Sequence, residues 1–400
     1  MKTSRNYLRF IIFSLLVVTV FTLTGCDDVF GTGDNEDGFF ISAEPGLYDA
    51  NNDLVATWED LVSVYGMDVS SSYPSSSYKS NAASPYNVLL KTEELATGEK
   101  LVIGNTSKIG DYAFRDCTNL TCIVVSDSVT SIGSYAFANC TNLMSAKIGD
   151  SVQTIGNNIF NNCEYLANVE IGNAVTNLNF AFDNCKNLVN IWLGNGITSI
   201  DNGMFRDCII LENVTIGNGV TTIGANAFSF CTYLTTVTFG EESKLKVIEN
   251  EAFSSCYSLV NLNLPSTVTD IGSYAFADCA GLVSITLSPN LKNIGTYAFY
   301  GCTSLESIEI PQGITTIGES CFEECYNLKM IDIPVSISNF GLRAFYNCQS
   351  LATINYNGTK KQWDILVSDS KDWNENTATY TVYCVDGTLI KVENSSDDNS

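Results

Sequence analysis

The chain contains no histidine. That absence removes every histidine-based triad, the commonest general base and the commonest metal ligand together. Basic residues are scarce too: 20 Lys and Arg stand against 44 Asp and Glu, for a formal net charge of −24. Nucleic acid and anionic membrane surfaces are therefore disfavoured as charge-recognised partners. No G-x-S-x-G, P-loop or G-x-G-x-x-G occurs, and no C-x-x-C pair that would suggest a metal or redox site. The carboxylates Glu241/Glu242 and Glu323/Glu324 are sequence neighbours on turn-like segments. General acid–base work on a glycoside needs two carboxyls about 5–9.5 Å apart across a cleft, which adjacency does not supply. Asp49-Ala-Asn51-Asn-Asp53 has the spaced acids of a calcium loop, but Leu54 stands where its sharp turn needs glycine. We expect no catalytic residue, no cofactor and no metal. Long hydrophobic runs are also missing. The apolar core Phe10 to Phe21 has 12 residues, against the roughly 20 that a membrane-spanning helix needs.

What the chain does have is a repeat. Asn293 to Pro311 shows it best, as I-G-x-x-A-F-x-x-C-x-x-L-x-x-I-x-I-P. Its cysteine returns at Cys117, Cys140, Cys163, Cys185, Cys208, Cys231, Cys256, Cys279, Cys302, Cys325 and Cys348. The step is 23 residues except for one of 22, into Cys185, and one of 25, into Cys256. Phenylalanine stands three positions before each of these cysteines and leucine three after. A fixed period of this length specifies stacked turns of a solenoid, since one copy cannot bury its own apolar residues. Within a copy, Ile308 and Ile310 alternate with Ser307 and Glu309, the period of an inward-facing strand. Ile314 and Ile317 predict a second short extended piece after a Pro-Gln-Gly turn. Glu319 to Glu324 reads as a helical turn that drops Phe322 inward. The repeated cysteine reads as a small buried hydrophobe. Stacked turns would aim neighbouring Cβ atoms in parallel, whereas a disulfide needs them facing. Cys122, Cys321 and Cys384 lie outside this ladder and are not paired by the sequence.

The repeat resembles the BspA-like leucine-rich repeats of bacterial surface proteins, over about Leu101 to Asn357 in eleven copies. Met204 and Ile159 replace the alanine before Phe, Asn179 replaces one glycine, and Glu241 to Lys246 carries a two-residue insertion. Tyr356 to Trp363, with Tyr380 to Val392, is similar to the terminal module that closes such arrays. The fold class is thus a β-rich leucine-rich-repeat solenoid of about eleven turns, short strands plus short helical turns, with N- and C-terminal caps.

Around the repeats (101–357), residues 1–25 read as an export signal, with Lys2, Arg5 and Arg9 ahead of the apolar core. Leu23-Thr-Gly-Cys26 resembles a bacterial lipobox, which implies lipid attachment at Cys26. Residues 26–38, with five acids and no base, read as a solvated tether. Residues 39–100 lack the period and are expected to cap the first turn. Within them the apolar spacing of 54, 55, 58, 61, 62 and 65 suits an amphipathic helix, the serine-rich stretch 70–84 a mobile loop, and Val88–Leu90 and Leu101–Ile103 short strands. Residues 358–393 form a β-hairpin cap turning at Asp386-Gly387, with Trp363 and Trp373 over the last coil, and 394–400 a disordered tail.

Between the inward strand residues lies a row that varies: Val124, Lys147, Glu170, Trp192, Thr215, Thr238, Asn263, Thr286, Glu309, Asp332 and Asn355. A second row, two residues earlier, includes Asn261, Ser284, Ser307 and Met330. A constant framework beneath a variable face is how a repeat scaffold carries specificity. Trp192 stands out, since an indole on a wet surface marks an interaction hot spot. Lys147, Glu170, Met330, Thr215, Thr238 and Asn263 complete the candidate set. The resemblance implies a lipid-anchored adhesin of the cell envelope, in the outer membrane or exposed at the cell surface. Its partner would be an extracellular protein of a host matrix or another bacterium, or a glycan. It would be a monomer that meets the membrane only through Cys26. The alternative is an envelope glycan- or nutrient-binding accessory lipoprotein.

Overall fold

In a computed structural model, the structure describes residues 45–48, 54–57, 59, 61, 100–182, 184–368, 370 and 372–390. The export signal, Cys26, the tether, the calcium-like segment 49–53, the serine-rich stretch, Val88–Leu90 and the tail lie outside these residues.

The alternating residues of each copy form a parallel strand, and successive strands stack in register. Ile191 lies beside Val169 on one side and Val214 on the other, and Ile308 beside Ile331. These inward residues are buried. The strands make one face of the coil in two sheets. The nine-stranded sheet runs from the N-terminal hairpin to Thr236–Phe239, and the seven-stranded one from Asn261–Asn263 to Gly387–Ile390. The second extended piece is a two-residue strand such as Thr316–Ile317, and these pieces form three small sheets elsewhere on the coil.

The predicted helical turn is not formed. In the segment around each phenylalanine, alternate N–H groups take different partners. Ala113, Arg115 and Cys117 donate three residues back, whereas Tyr112, Phe114 and Asp116 donate to Ser134, Ala136 and Ala138 of the next coil, at 2.9, 2.7 and 2.9 Å. A helix would spend all these donors inside one coil and leave the stack unbonded. The alternation demands positive φ two residues before and two after each phenylalanine, as at Tyr112 (60°) and Asp116 (63°). The later position, just before the cysteine, is usually Asn, Asp or Gly, the residues that enter this region most readily.

Inside the coil the eleven phenylalanines stack with centroids 5.1 to 5.9 Å apart. The cysteines are free and buried, and they do more than fill space. Cys140 Sγ donates to the carbonyl of Phe114 in the preceding coil at 3.1 Å, and Cys279 to that of Phe253 at 3.1 Å. The cysteine thus ties most coils to the last, Cys208 behind the shortened coil excepted. Cys321 stands where other copies carry alanine, also buried. A thiol reagent should therefore label Cys384, the half-buried one, in native protein. Titration after denaturation without reductant should release the ladder thiols; a denatured count near zero would mean that they are oxidised.

Both irregular coils disturb the stack. The 22-residue step removes one residue ahead of Phe182, puts Asn179 and Phe180 both at positive φ, and breaks the small sheet between Thr154–Ile155 and Ser199–Ile200. Phe182 and Phe205 are tilted by 34°. The 25-residue step interrupts the large face, as described below.

The ends of the coil are closed differently from expectation in two places. Leu54–Thr57 is a strand, not the start of a helix. It pairs antiparallel with Gly46–Tyr48, which pairs in turn with Lys100–Ile103. An edge strand satisfies the open main-chain groups of the first coil, which a helix cannot do. At the other end, Thr381–Cys384 extends the face in parallel with Thr353–Tyr356 and Gly387–Ile390 returns. The hairpin turns at Val385–Asp386, one residue earlier than expected. Cys384 already pairs with Gly387, and the Asp386 carboxylate is held by the Lys360 N–H at 2.8 Å. A helix, Lys360–Ser368, precedes it. It brings Trp363 onto Phe340 and Tyr356, while Trp373 covers Phe340 and meets Phe345 edge-on. No helix among the described residues is long and apolar enough to cross a membrane.

Candidate binding surface

The strand register brings five of the candidate residues into one line. Lys147 pairs with Glu170, Glu170 with Trp192, Trp192 with Thr215, and Thr215 with Thr238. Lys147 Nζ meets Glu170 Oε1 at 2.8 Å, and Thr238 Oγ1 donates to Thr215 Oγ1 at 3.1 Å. Trp192 is half-buried in this line between Glu170 and Thr215, not the freely exposed indole the sequence suggested. Strand neighbours only about 4.8 Å away cover both flanks of any side chain in the row. Met330 is exposed but lies in the other row, beside Ser307 and Thr353. Asn263 belongs to the second sheet, beside Thr286.

Beside that line runs a ladder of side-chain amides. Asn190 Nδ2 donates to Asn168 Oδ1, and Asn213 Nδ2 to Asn190 Oδ1, both at 2.7 Å. The face is closed at its N-terminal end, where the outward residues Lys100, Cys122 and Ser145 are all buried. That row is therefore free only from near Asn168, while in the row of the candidate line Val124 and Lys147 are half-buried.

The sequence reading missed a break in this face. Thr236–Phe239 and Asn261–Asn263 belong to consecutive coils but to different sheets. The inserted residues loop out at the break, after Phe239, held by Glu242 N–H on Asn218 Oδ1 at 3.1 Å. The result is a cleft of about 350 Å³ lined by Thr238, Phe239, Glu241, Asn261, Asn263 and Ser266, among others. Thr238 and Asn263, on opposite sheets, meet there. The insertion was visible in the spacing, but nothing in it showed that the face rather than the back of the coil would open.

The BspA type leucine rich repeat region matches in six copies, over residues 99–180, 178–267 and 246–365. The chain belongs to the BspA-type leucine-rich repeat family. No curated protein matches it. Among solved structures, a leucine rich cell surface protein from Faecalibacterium prausnitzii A2-165 is 30% identical, over 68% of this chain and 91% of that one, with a TM-score of 0.32. A leucine-rich repeat protein from Bacteroides ovatus ATCC 8483 is 25% identical over 72% and 84%, with a TM-score of 0.41. The Treponema pallidum leucine rich repeat protein is 26% identical over 48% and 86%, with a TM-score of 0.40. This BspA-type chain is thus a repeat protein of the kind found among bacterial surface proteins, and its variable residues sit on one face of an otherwise uniform coil.

Proposed function

We propose that this protein is an exported, lipid-anchored, non-catalytic scaffold that attaches a bacterial cell to extracellular proteins through its exposed sheet. The observation that carries this reading is the line Lys147, Glu170, Trp192, Thr215, Thr238, where side-chain chemistry runs from cation to anion to indole to hydroxyl while the phenylalanine and cysteine behind it do not change. A binding surface needs that independence of face from core. Residues 1–25 serve export, Cys26 carries the lipid, 26–38 is the tether, and 39–100 and 358–393 cap the repeats. The surface location of the Faecalibacterium protein, named for it, supports placing this chain outside the cell. The lack of histidine supports a non-catalytic role.

Protease treatment of intact cells tests the placement. The expected result is loss of the full-length chain from intact cells, and transfer of Cys26→Ala from the membrane to the soluble fraction. Membrane retention of that variant would remove the lipid anchor from this reading. Protection on intact cells with cleavage after lysis would remove adhesion and favour the envelope glycan- or nutrient-binding alternative, which the polar cleft supports.

A further inference from the structure

The polar ladder on the face has a direction, and the direction fails at one place. In the first sheet the amides and hydroxyls donate to the coil before, Asn190 to Asn168, Asn213 to Asn190 and Thr238 to Thr215, the Lys147–Glu170 ion pair alone running the other way. In the second sheet the same rule holds, with Ser284 Oγ donating to Asn261 Oδ1 at 2.6 Å and Thr286 Oγ1 to Asn263 Oδ1 at 2.8 Å. Continued across the break, the rule would have Asn261 Nδ2 donate to Thr236 and Asn263 Nδ2 to Thr238. Neither bond is formed. Two amide donors, their carbonyls already committed, therefore stand on one wall of the cleft. On the other wall stands the Thr238 hydroxyl, which has already given its proton to Thr215, whereas Thr236 lies outside the lining with its hydroxyl 3.3 Å from that of Thr235.

We propose that this cleft binds a neutral sugar, as a terminal residue of a glycan, and that it is the ligand site of the face proposed above as the binding surface, on which reading it rests. The occupant must accept hydrogen bonds from two neighbouring amides on one wall and donate to Thr238 on the other. A hydroxyl does both through one oxygen, and adjacent ring hydroxyls supply the pair. A phosphate or carboxylate only accepts, and would also meet Glu241 in the lining. An ammonium only donates, and would face the two amide N–H groups. Phe239, Leu264 and Pro265 add an apolar patch to the lining that suits the C–H face of a sugar ring. About 350 Å³ lies at the small end of ligand sites, which run roughly 300–1,000 Å³.

The test uses the full mature chain on an array of neutral glycans built from hexose, N-acetylhexosamine and fucose, beside sialylated and sulfated ones, with calorimetry on any hit. Neutral glycans should bind and acidic ones should not. Asn261→Leu and Asn263→Leu should each weaken binding about tenfold, the scale of one lost hydrogen bond with a desolvated partner. Ser266→Trp, at an exposed rim position that takes no side-chain part in the ladder, should fill the cleft and abolish binding with its melting temperature unchanged. Absence of any neutral-glycan binding, a preference for acidic glycans, or binding that survives Ser266→Trp would overturn the proposal. The two readings separate cleanly. Attachment of cells to a protein ligand without sugar binding would leave adhesion standing and remove the sugar site. Sugar binding by a chain protected on intact cells would do the reverse.

Discussion

Taking the protein from about pH 7 to about pH 10 should destabilise it by on the order of 10 kcal/mol, enough to unfold it. The cause is the buried thiols, nine of the ladder and Cys321 beside it. Burial pushes Cys140, Cys208, Cys279 and Cys321 up from 9.0 to about 12. It raises Cys163, Cys231, Cys256, Cys302, Cys325 and Cys348 as well. In the folded coil these thiols stay protonated at about pH 10, whereas in the unfolded chain they ionise. The unfolded state then binds fewer protons, so stability falls as pH rises. It is intact below the ordinary thiol range and is lost from about pH 9 towards about pH 12. One unit above the unfolded value, each thiol withdraws roughly 1 kcal/mol, and ten such groups together rival the whole stability of a typical domain, about 5–15 kcal/mol. Thermal melting in reductant across this range measures the effect. The double variant Cys256→Ala/Cys279→Ala should show a shallower fall. Equal melting temperatures at about pH 7 and about pH 10 would mean that the ladder thiols are not buried as neutral donors.

That thiol role shows where the sequence was legible and where it was not. The period, the phenylalanine spine and the inward strand residues could be read because each coil repeats one burial pattern. Counting cysteines every 23 residues showed burial but not the partner, since the carbonyl of Phe114 that receives Cys140 lies in the preceding coil. The turn beside Phe322 was read as helix from its local residues, yet its main-chain donors are shared between coils. The Asn and Asp residues just before so many ladder cysteines were the available signal for positive φ. Thr359-Lys-Lys-Gln362 was another unused signal. Thr359 N–H donates to Gln362 Oε1 at 2.9 Å and Gln362 N–H to Thr359 Oγ1 at 3.3 Å, a capping box that starts the helix of the C-terminal cap. Leu54 to Thr57 failed for the opposite reason. Its apolar spacing fitted a helix, but the free edge of Gly46–Tyr48, the strand laid on the first coil, decided for strand. Of the candidate residues, those in the row from Lys147 to Thr238 were legible because register follows from the period. The cleft was not, because it depends on which side of the coil absorbs the inserted residues.

Phe228→Ala should cost about 3–5 kcal/mol and divide the unfolding transition into two. Phe228 is fully buried, with Phe205 and Phe253 stacked on it at 5.2 and 5.1 Å. Area alone assigns the side chain roughly 2 kcal/mol. The remainder comes from the cavity, because the neighbouring rings cannot close over it. Their coils are held apart by the main-chain ladder, with Phe228 N–H on the Ala252 carbonyl at 2.8 Å and Cys256 Sγ on the Phe228 carbonyl at 3.3 Å. In a stacked repeat, stability is a sum of each unit and its contacts with the next. A hole in a central coil therefore weakens two interfaces at once and uncouples the coils before it from those after. Phe228→Leu retains most of the volume and should restore a single transition. Phe345→Ala, at the end of the stack beside Trp373, should lower stability without splitting the transition, since no long block lies beyond it. Urea unfolding followed by circular dichroism distinguishes these outcomes. A loss under about 1 kcal/mol for Phe228→Ala would show that the coils can close over the gap, and that the phenylalanine stack does not set the spacing of the solenoid.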